Sequence, residues 1–192
     1  MDMYNRQKTL GLNINQSITC VGLGGIGYWV AKYLIMSGVE KVNLFDPETI
    51  EISNLNRLDI PITCIGMNKC DVAKQMIISL RPECSVISMP FKLQEHTFLK
   101  TDWIIDCTDN FSSQVENERI SKVFNTKYVK AGYNGEHVSL SNTVASWGDA
   151  PDGYTVIPSW IVPASIIASL TVSKVLKYNT KEISTTIEKL FN

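Results

Sequence analysis

Residues 17–27 read SITCVGLGGIG, an apolar run of strand length that passes directly into glycines. Gly22, Gly24 and Gly27 stand in GxGxxG register before a predicted helix over residues 26–37, whose apolar residues recur at helical spacing. In this register the first glycine permits a tight turn, the second lets the backbone approach a phosphate or ribose, and the third lets the helix pack on the sheet. The helix N-terminus then offers free amides to an anion. The stretch predicts a nucleotide site, although a glycine turn that serves packing alone reads the same.

Strand-like and helix-like segments alternate through the first two-thirds of the chain. The predicted strands are residues 17–22, 39–45, 85–89 and 103–107, and the predicted helices are residues 26–37, 69–80, 111–124 and 161–178. Residues 128–147 alternate apolar and polar side chains, with Asn134-Gly135 as a hairpin turn signal. This order favours an α/β fold: a Rossmann-like, doubly wound, mainly parallel sheet with an antiparallel hairpin extension. The length suits one buried core, so we expect a single domain over residues 1–192.

Composition argues against several classes of partner. Eighteen Lys and Arg against 19 Asp and Glu give a net charge of −1, and the basic residues are scattered rather than gathered into a nucleic-acid-binding patch. No apolar run approaches the ~20 residues of a membrane span, and the first ten residues lack the apolar segment of a signal peptide. The five cysteines are odd in number and never spaced CxxC, which favours free thiols in a reducing compartment. We expect a cytoplasmic protein with no nucleic-acid or membrane partner.

Charged residues after the glycine loop fit phosphate chemistry. Asp46 ends the second predicted strand about twenty residues further on, where a ribose hydroxyl is bound in dinucleotide folds. Arg57 and Lys69 are separate cations able to neutralise a triphosphate and its pyrophosphate leaving group. Asp109 follows a predicted parallel strand, where doubly wound sheets bind ligands and where a carboxylate can hold magnesium. Each also has an ordinary alternative: a solvated cation, or an aspartate that caps a helix.

The order of these motifs resembles the adenylyltransferase family of molybdopterin- and thiamine-biosynthesis enzymes and ubiquitin-activating enzymes (ThiF/MoeB/HesA-like). The matching stretches are GLGGIG at 22–27, FDPETIEISNLNR at 45–57, GMNK at 66–69 and DCTDN at 106–110. YNRQ at 4–7 is similar to the family's N-terminal motif, and IVPASIIASLTVSKVL at 161–176 to its closing helix. The resemblance spans nearly the whole chain. It implies an enzyme that uses ATP and magnesium (Mg2+) to adenylate a carboxylate.

The resemblance also implies a role for each candidate residue. Asp109 would position magnesium and the α-phosphate. Arg6 would be an arginine finger that enters the site of a neighbouring subunit, which implies a homodimer; without the resemblance, Arg6 reads as an exposed terminal residue. The residues implied to contact the ribose and the triphosphate are Gly22, Gly24, Gly25, Gly27, Asp46, Glu48, Asn54, Arg57 and Lys69.

The chain departs from the family in its cysteines. Many members carry CxxC pairs for structural zinc, and thiol-transferring members carry a cysteine after the hairpin. This chain has no CxxC pair and no cysteine after Cys107, and the connecting stretch 148–160 is short and rich in Pro and Gly. We therefore expect no zinc and no thioester formed through such a cysteine. Cys107, inside the DCTDN motif, reads as a packing residue at a strand end.

Several functions remain compatible with these features. The leading prediction is adenylation of the C-terminal carboxylate of a small ubiquitin-like or sulfur-carrier protein, with the acyl group passed to an acceptor supplied by another molecule. A close variant is adenylation of a peptide or small-molecule carboxylate. An NAD(P)-dependent oxidoreductase shares the glycine loop and Asp46. A catalytically inactive partner subunit is the third alternative.

Overall fold

The sheet of this protein contains seven strands in the order β3-β2-β1-β4-β5-β6-β7. A computed structural model describes residues 3–144, 158–178 and 182–191. The strands are β1 (Ser17–Val21), β2 (Lys41–Phe45), β3 (Ser85–Met89), β4 (Trp103–Asp106), β5 (Lys127–Asn134), β6 (His137–Ser141) and β7 (Ile183–Thr186). The helices are α1 (Gly27–Met36), α2 (Lys69–Leu80), α3 (Phe111–Val123) and α4 (Ile161–Leu176). Strands β1 to β5 pair in parallel and β6 and β7 antiparallel, so the predicted fold class is confirmed.

The central strands β1 and β4 explain why the sheet is covered on both faces. Every residue of β4 is buried, and so are four of the five residues of β1, as expected of parallel strands between two layers of helices. Val21 lies beside Phe45 on one side and Asp106 on the other, so three strands end together at one edge of the sheet. The chain leaves β1 and β4 toward opposite sides, because β1 connects to β2 and β4 connects to β5. This divergence is the topological switch point at which doubly wound sheets bind ligands.

Two hydrophobic cores lie on the two faces of the sheet. The larger core joins α1, α2 and α4, with Leu34, Ile77 and Ile167 fully buried in it. The smaller core lies under α3, where Ile120 packs with Phe45 and other apolar residues. Among the described residues, no helix is both long enough and apolar enough for a membrane crossing.

Predicted and observed boundaries differ mainly at the ends of elements. The bounds of α2 and β3 agree with the prediction. The observed β1, β2, β4, α1, α3 and α4 are one or two residues shorter than predicted at one or both ends. The hairpin turn consists of residues 135–136, because Asn134 is still paired with His137. Strand β7 was not predicted, since its ISTT sequence is polar and only partly buried. Residues 145–147 of the alternating stretch and 148–157 of the connecting stretch lie outside the described residues, and the single domain stays a prediction.

Candidate active site

The glycine loop connects β1 to α1 with the close approaches that its register requires. Gly22 has a φ of +84°, and a Cβ there would lie 3.0 Å from the backbone of Cys107 and Thr108. A Cβ on Gly27 would lie 1.8 Å from the carbonyl oxygen of Gly22, so only glycine fits. Gly24 differs, because a Cβ there would meet nothing within 4 Å. Two glycines are therefore needed by the fold, and the third borders open space.

The backbone amides at the start of α1 form a ready anion site. Within the described ranges, the N–H groups of Gly24, Gly25, Ile26 and Gly27 have no hydrogen-bond partner. These groups lie at the N-terminal end of a ten-residue helix, where the helix dipole adds partial positive charge. Free amides in this position are the usual binding site for phosphate groups.

Asp46 at the end of β2 braces the loop. Its Oδ2 accepts a hydrogen bond from the amide of Leu23 at 2.6 Å, and its Oδ1 accepts one from the amide of Glu48 at 2.8 Å. Burial raises the pKa of Asp46, while these hydrogen bonds and the nearby Lys69 lower it. Both carboxylate oxygens thus already hold backbone in place, and the ribose contact implied for Asp46 stays a prediction.

The segment between β2 and α2 carries Glu48, Asn54 and Lys69. Lys69 opens α2 and is buried, and its Nζ lies 2.5 Å from the Oε2 of Glu48, whose side chain is 67% exposed. Asn54 is also buried; its Oδ1 accepts a hydrogen bond from the amide of Glu51 at 3.1 Å and caps a short 3-10 helix. The cation of Lys69 is therefore partly offset by Glu48, and Asn54 has a structural role in the free protein.

Arg57 crosses the glycine loop with part of its guanidinium available. Nη1 donates to the carbonyl oxygen of Ser53 at 2.7 Å and to Oδ1 of Asn56 at 2.9 Å. Nε and Nη2 have no partner among the residues that the structure describes. A Cβ on Gly25 would lie 2.8 Å from Cδ of Arg57, so this side chain runs directly over the loop. The free N–H groups beside the amides suit a phosphate tail.

Tyr133 and Ser159 close the same side of the loop and were missed at the sequence level. The Tyr133 hydroxyl would lie 2.7 Å from a Cβ on Gly25, and it hydrogen-bonds with the Ser159 hydroxyl. Asn56 donates from Nδ2 to the carbonyl oxygen of Ser159 at 2.8 Å. These contacts join positions far apart in the sequence, so no local pattern could have revealed them.

The last residue of β4 and the loop after it each provide an aspartate, and the two have different surroundings. Asp106 is fully buried and accepts hydrogen bonds from the amide and hydroxyl of Thr108, from Asn117 and from Tyr128, at 2.7 to 2.9 Å. Burial raises its pKa, and the four hydrogen bonds lower it. Asp109 is exposed and has no partner in the described part of the chain.

Asp109 fits a magnesium site that substrate phosphates would complete. No group of three His, Cys, Asp or Glu among the described residues could hold a metal by itself. Magnesium in nucleotide enzymes is usually held by one or two carboxylates together with phosphate oxygens and water. A single free carboxylate at the switch point agrees with that mode of binding.

Arg6 lies away from the other candidate residues of its own subunit. Its neighbours pack at the C-terminal end of α1: Gln7 donates to the carbonyl oxygen of Ser37 at 2.6 Å, and Tyr4 donates to that of Ile35 at 3.4 Å. The glycine loop is at the other end of the helix, whose ten residues span about 15 Å. The structure therefore does not bring Arg6 together with Arg57, Lys69 and Asp109.

The cysteines near the site are suited to packing. Cys107 is partly buried, and its Cβ lies 3.3 Å from the position of a Cβ on Gly27. Burial raises the pKa of the Cys107 thiol well above its ordinary value and that of Cys70 to about 12. A thiol with so high a pKa carries little of the reactive thiolate at neutral pH.

The fold is a Rossmann-type sheet, and groups suited to phosphate and metal lie at the carboxyl ends of β1 and β4. The sequence profile of the ThiF family matches residues 7–145, which is well over half of the chain. The chain belongs to the ThiF family.

Individual relatives agree with this assignment. The chain is 39% identical over 103 residues to a probable molybdopterin-synthase adenylyltransferase of Porphyra purpurea, covering 51% of this chain and 27% of that protein. It is 31% identical over 107 residues to the tRNA threonylcarbamoyladenosine dehydratase of Bacillus subtilis, covering 53% and 42%. The crystal structure of E. coli MccB with AMPCPP and MccA superposes with a TM-score of 0.75 at 18% identity, covering 90% of this chain and 64% of that one, which supports the fold. The matched region thus spans less than half of each of these two curated relatives.

Proposed function

We propose that this protein is an ATP-dependent adenylyltransferase that activates a carboxylate as an acyl-adenylate. The observation that carries the proposal is the convergence at one switch point of amides, N–H groups of Arg57 and a carboxylate that have no partner among the described residues. Membership of the ThiF family supports it, as does a relative named as an adenylyltransferase. A structural neighbour was crystallised with AMPCPP, an analogue of ATP, which favours ATP as the nucleotide.

The proposed reaction needs no general base. A carboxylate oxygen of the substrate attacks the α-phosphorus of ATP and forms a new P–O bond, while the bond between the α-phosphorus and the bridging oxygen breaks. Pyrophosphate leaves with the electron pair, and the acyl-adenylate remains. Because the carboxylate is already ionised at neutral pH, catalysis consists of positioning the reactants and stabilising charge on the phosphates.

The residues of the site divide these tasks. The amides of residues 24–27 bind the phosphates and the ribose of ATP. Asp46, Glu48 and Asn54 hold the surrounding loops in place. Arg57 binds the phosphate tail through Nε and Nη2, and Lys69 contributes those N–H donors that Glu48 leaves free. Asp109 would hold magnesium, which would supply positive charge to offset that of the phosphates.

The substrate that we propose is the C-terminal carboxylate of a small ubiquitin-like or sulfur-carrier protein. The relative named for molybdopterin synthase supports a protein substrate. Similarity to MccB, crystallised with MccA, and to a tRNA dehydratase keeps a peptide or other carboxylate as the second candidate. No cysteine follows Cys107, so the acceptor of the acyl group would be another molecule.

We also propose a homodimer in which Arg6 of one subunit enters the site of the other. Arg6 is exposed and its neighbours pack at the far end of α1 from its own glycine loop, which supports a role in the site of a second copy rather than in its own. Five free thiols agree with the predicted reducing, cytoplasmic location.

ATP–pyrophosphate exchange tests the proposal. Exchange should appear with one of a panel of carrier proteins ending in Gly-Gly, or with one of a panel of peptides, and should be lost in Asp109→Ala. The matched control is Asp102→Ala, an exposed aspartate at the amino end of β4, which should exchange like the wild type. Absence of exchange with every carboxylate, together with tight binding of NAD(P)H or with stimulation of a separate adenylating enzyme, would rule the proposal out.

A further inference from the structure

Helix α1 contacts the Arg57 segment as well as carrying the glycine loop. In its first turn, the indole Nε1 of Trp29 donates a hydrogen bond to the carbonyl oxygen of Arg57 at 2.8 Å. Trp29 also packs against the larger core, and its ring meets that of Tyr28 edge-on with centroids 5.4 Å apart. The main chain of Arg57 is thus tied to the same helix that presents the free amides.

A second tie holds the chain two residues later. The hydroxyl of Tyr28 donates to Oδ1 of Asp59 at 2.5 Å, and the ammonium group of Lys32 forms an ion pair with Oδ2. Tyr28 is only 2% exposed, and Lys32 lies 5.0 Å from the centroid of the Trp29 ring. Burial and the neighbouring Asp59 raise the pKa of Tyr28, so its hydroxyl keeps the proton that it donates.

These contacts fix Arg57 relative to the glycine loop. The side chain of Arg57 runs over Gly25, its carbonyl oxygen is held by Trp29 of α1, and the side chain of Asp59, two residues later, is held by Tyr28 and Lys32 of the same helix. Lys69 is held differently, because its amide donates to the carbonyl oxygen of Glu48 at 3.0 Å and its Nζ pairs with the exposed carboxylate of the same residue. The main chain of Arg57 is therefore tied to the helix that carries the amides, while Ser53 and Asn56 orient its guanidinium.

We infer that Trp29 and Asp59 are positioning residues that hold Arg57 in register with the phosphate-binding amides. The inference rests on the proposed function, because it assumes that Arg57 binds the phosphate tail of ATP. Trp29 and Asp59 should therefore affect the binding of the β- and γ-phosphates. They should not affect the binding of the AMP part of ATP.

The experiment compares the affinities of ATP and AMP in the full chain. Displacement of a labelled ATP analogue would measure both for the wild type, Trp29→Phe, Asp59→Ala and Arg57→Ala. Trp29→Phe should weaken ATP about 10-fold while changing AMP less than about 2-fold, since the lost contacts concern the outer phosphates. In a Trp29→Phe/Arg57→Ala double variant, ATP affinity should match Arg57→Ala alone, because the two residues act through one contact.

Trp103→Phe is the matched control. It also loses a buried indole hydrogen bond, from Nε1 of Trp103 to Gln16 at 3.1 Å, but at the amino end of β4. It should lower Tm as Trp29→Phe does and leave the ratio of ATP to AMP affinity unchanged.

Two results would overturn the inference while leaving the proposed function intact. One is equal weakening of ATP and AMP by Trp29→Phe, which indicates a general loss of structure. The other is full additivity in the double variant. A wild-type protein that binds no ATP would overturn the proposed function, and the inference with it.

Discussion

Asp106 ends β4 and Asp109 lies three residues later in the loop that follows, and their surroundings are opposite. Asp106 is fully buried with four hydrogen-bond donors around it, whereas Asp109 is exposed and has no partner among the described residues. The glycine loop repeats the contrast, because a Cβ on Gly27 would strike backbone and one on Gly24 would meet open space. We call Asp106 and Gly27 the floor of the site, and Asp109 and Gly24 its rim.

The contrast shows that one motif can serve two purposes. The floor residues are needed to build the switch point, since they close the loops onto the sheet. Among the described residues Asp109 has no partner and a Cβ on Gly24 would meet nothing within 4 Å, which fits the ligand-binding role that we propose for the rim. Floor substitutions should therefore lower stability, and rim substitutions should lower binding or activity at unchanged stability.

The largest expected effect is on the rim, at Asp109. Asp109→Ala should reduce ATP–pyrophosphate exchange on the order of 1000-fold, or about 4 kcal/mol, because it would remove the carboxylate that we propose holds magnesium. The free energy of unfolding should change by less than about 0.5 kcal/mol, as is usual for an exposed side chain. Exchange kinetics and urea denaturation provide the two measurements. A large loss of stability in Asp109→Ala would contradict the assignment of Asp109 to the rim.

Asp106 on the floor should show the reverse. Asp106→Ala should lower the free energy of unfolding by about 3 kcal/mol, since Thr108, Asn117 and Tyr128 would lose their shared acceptor in a buried place. Urea denaturation checks this, with Asp109→Ala as the matched control three residues away. If the two variants unfold at the same urea concentration, the assignment of Asp106 to the floor is wrong.

The two glycines give a smaller version of the same test. Gly27→Ala should lower stability by about 2 kcal/mol, because its Cβ would force backbone of Gly22 to move. Gly24→Ala should leave stability near that of the wild type and weaken ATP about 10-fold, since its methyl group would occupy the space of a phosphate. Thermal unfolding and ATP binding measured on both variants would separate them. Equal losses of Tm would contradict the comparison.

Much of this fold could be predicted from sequence because its signals are local. The apolar run before Gly22, the capping residue Asn68 and the helical spacing after it lie within a few residues of the elements they define, and α2 and β3 matched. Strand β7 had no such signal. Its residues alternate weakly, and it is a strand only because β6 offers a free edge for pairing.

The site divides in the same way. The sequence indicated which residue types meet at the switch point, because strand ends and a glycine register are local features. It could not indicate that Asp46 braces the loop, that Glu48 pairs with Lys69, or that Tyr133 lies over Gly25. Those contacts depend on how separate segments pack, and no pattern within one segment encodes them.

The smallest expected effect is a pH dependence that arises at the floor. Burial raises the pKa of Asp106 above the value of an unfolded aspartate, so the native state holds this proton to higher pH than the unfolded state does. The corresponding stability is fully present below the unfolded pKa and is lost as pH rises through the folded pKa. Asp106→Asn cannot titrate at this position. The free energy of unfolding of the wild type should therefore fall relative to that of Asp106→Asn as the pH rises above about 4.

Urea denaturation of both proteins at a series of pH values measures this difference. Asp46, whose pKa is raised in the same direction, is present in both proteins, so its contribution cancels in the comparison. The effect should be small because four hydrogen bonds to the carboxylate offset much of the desolvation. A difference that grows in favour of the wild type with rising pH would mean that these hydrogen bonds outweigh burial. The pKa of Asp106 would then be lower in the folded protein than in the unfolded chain.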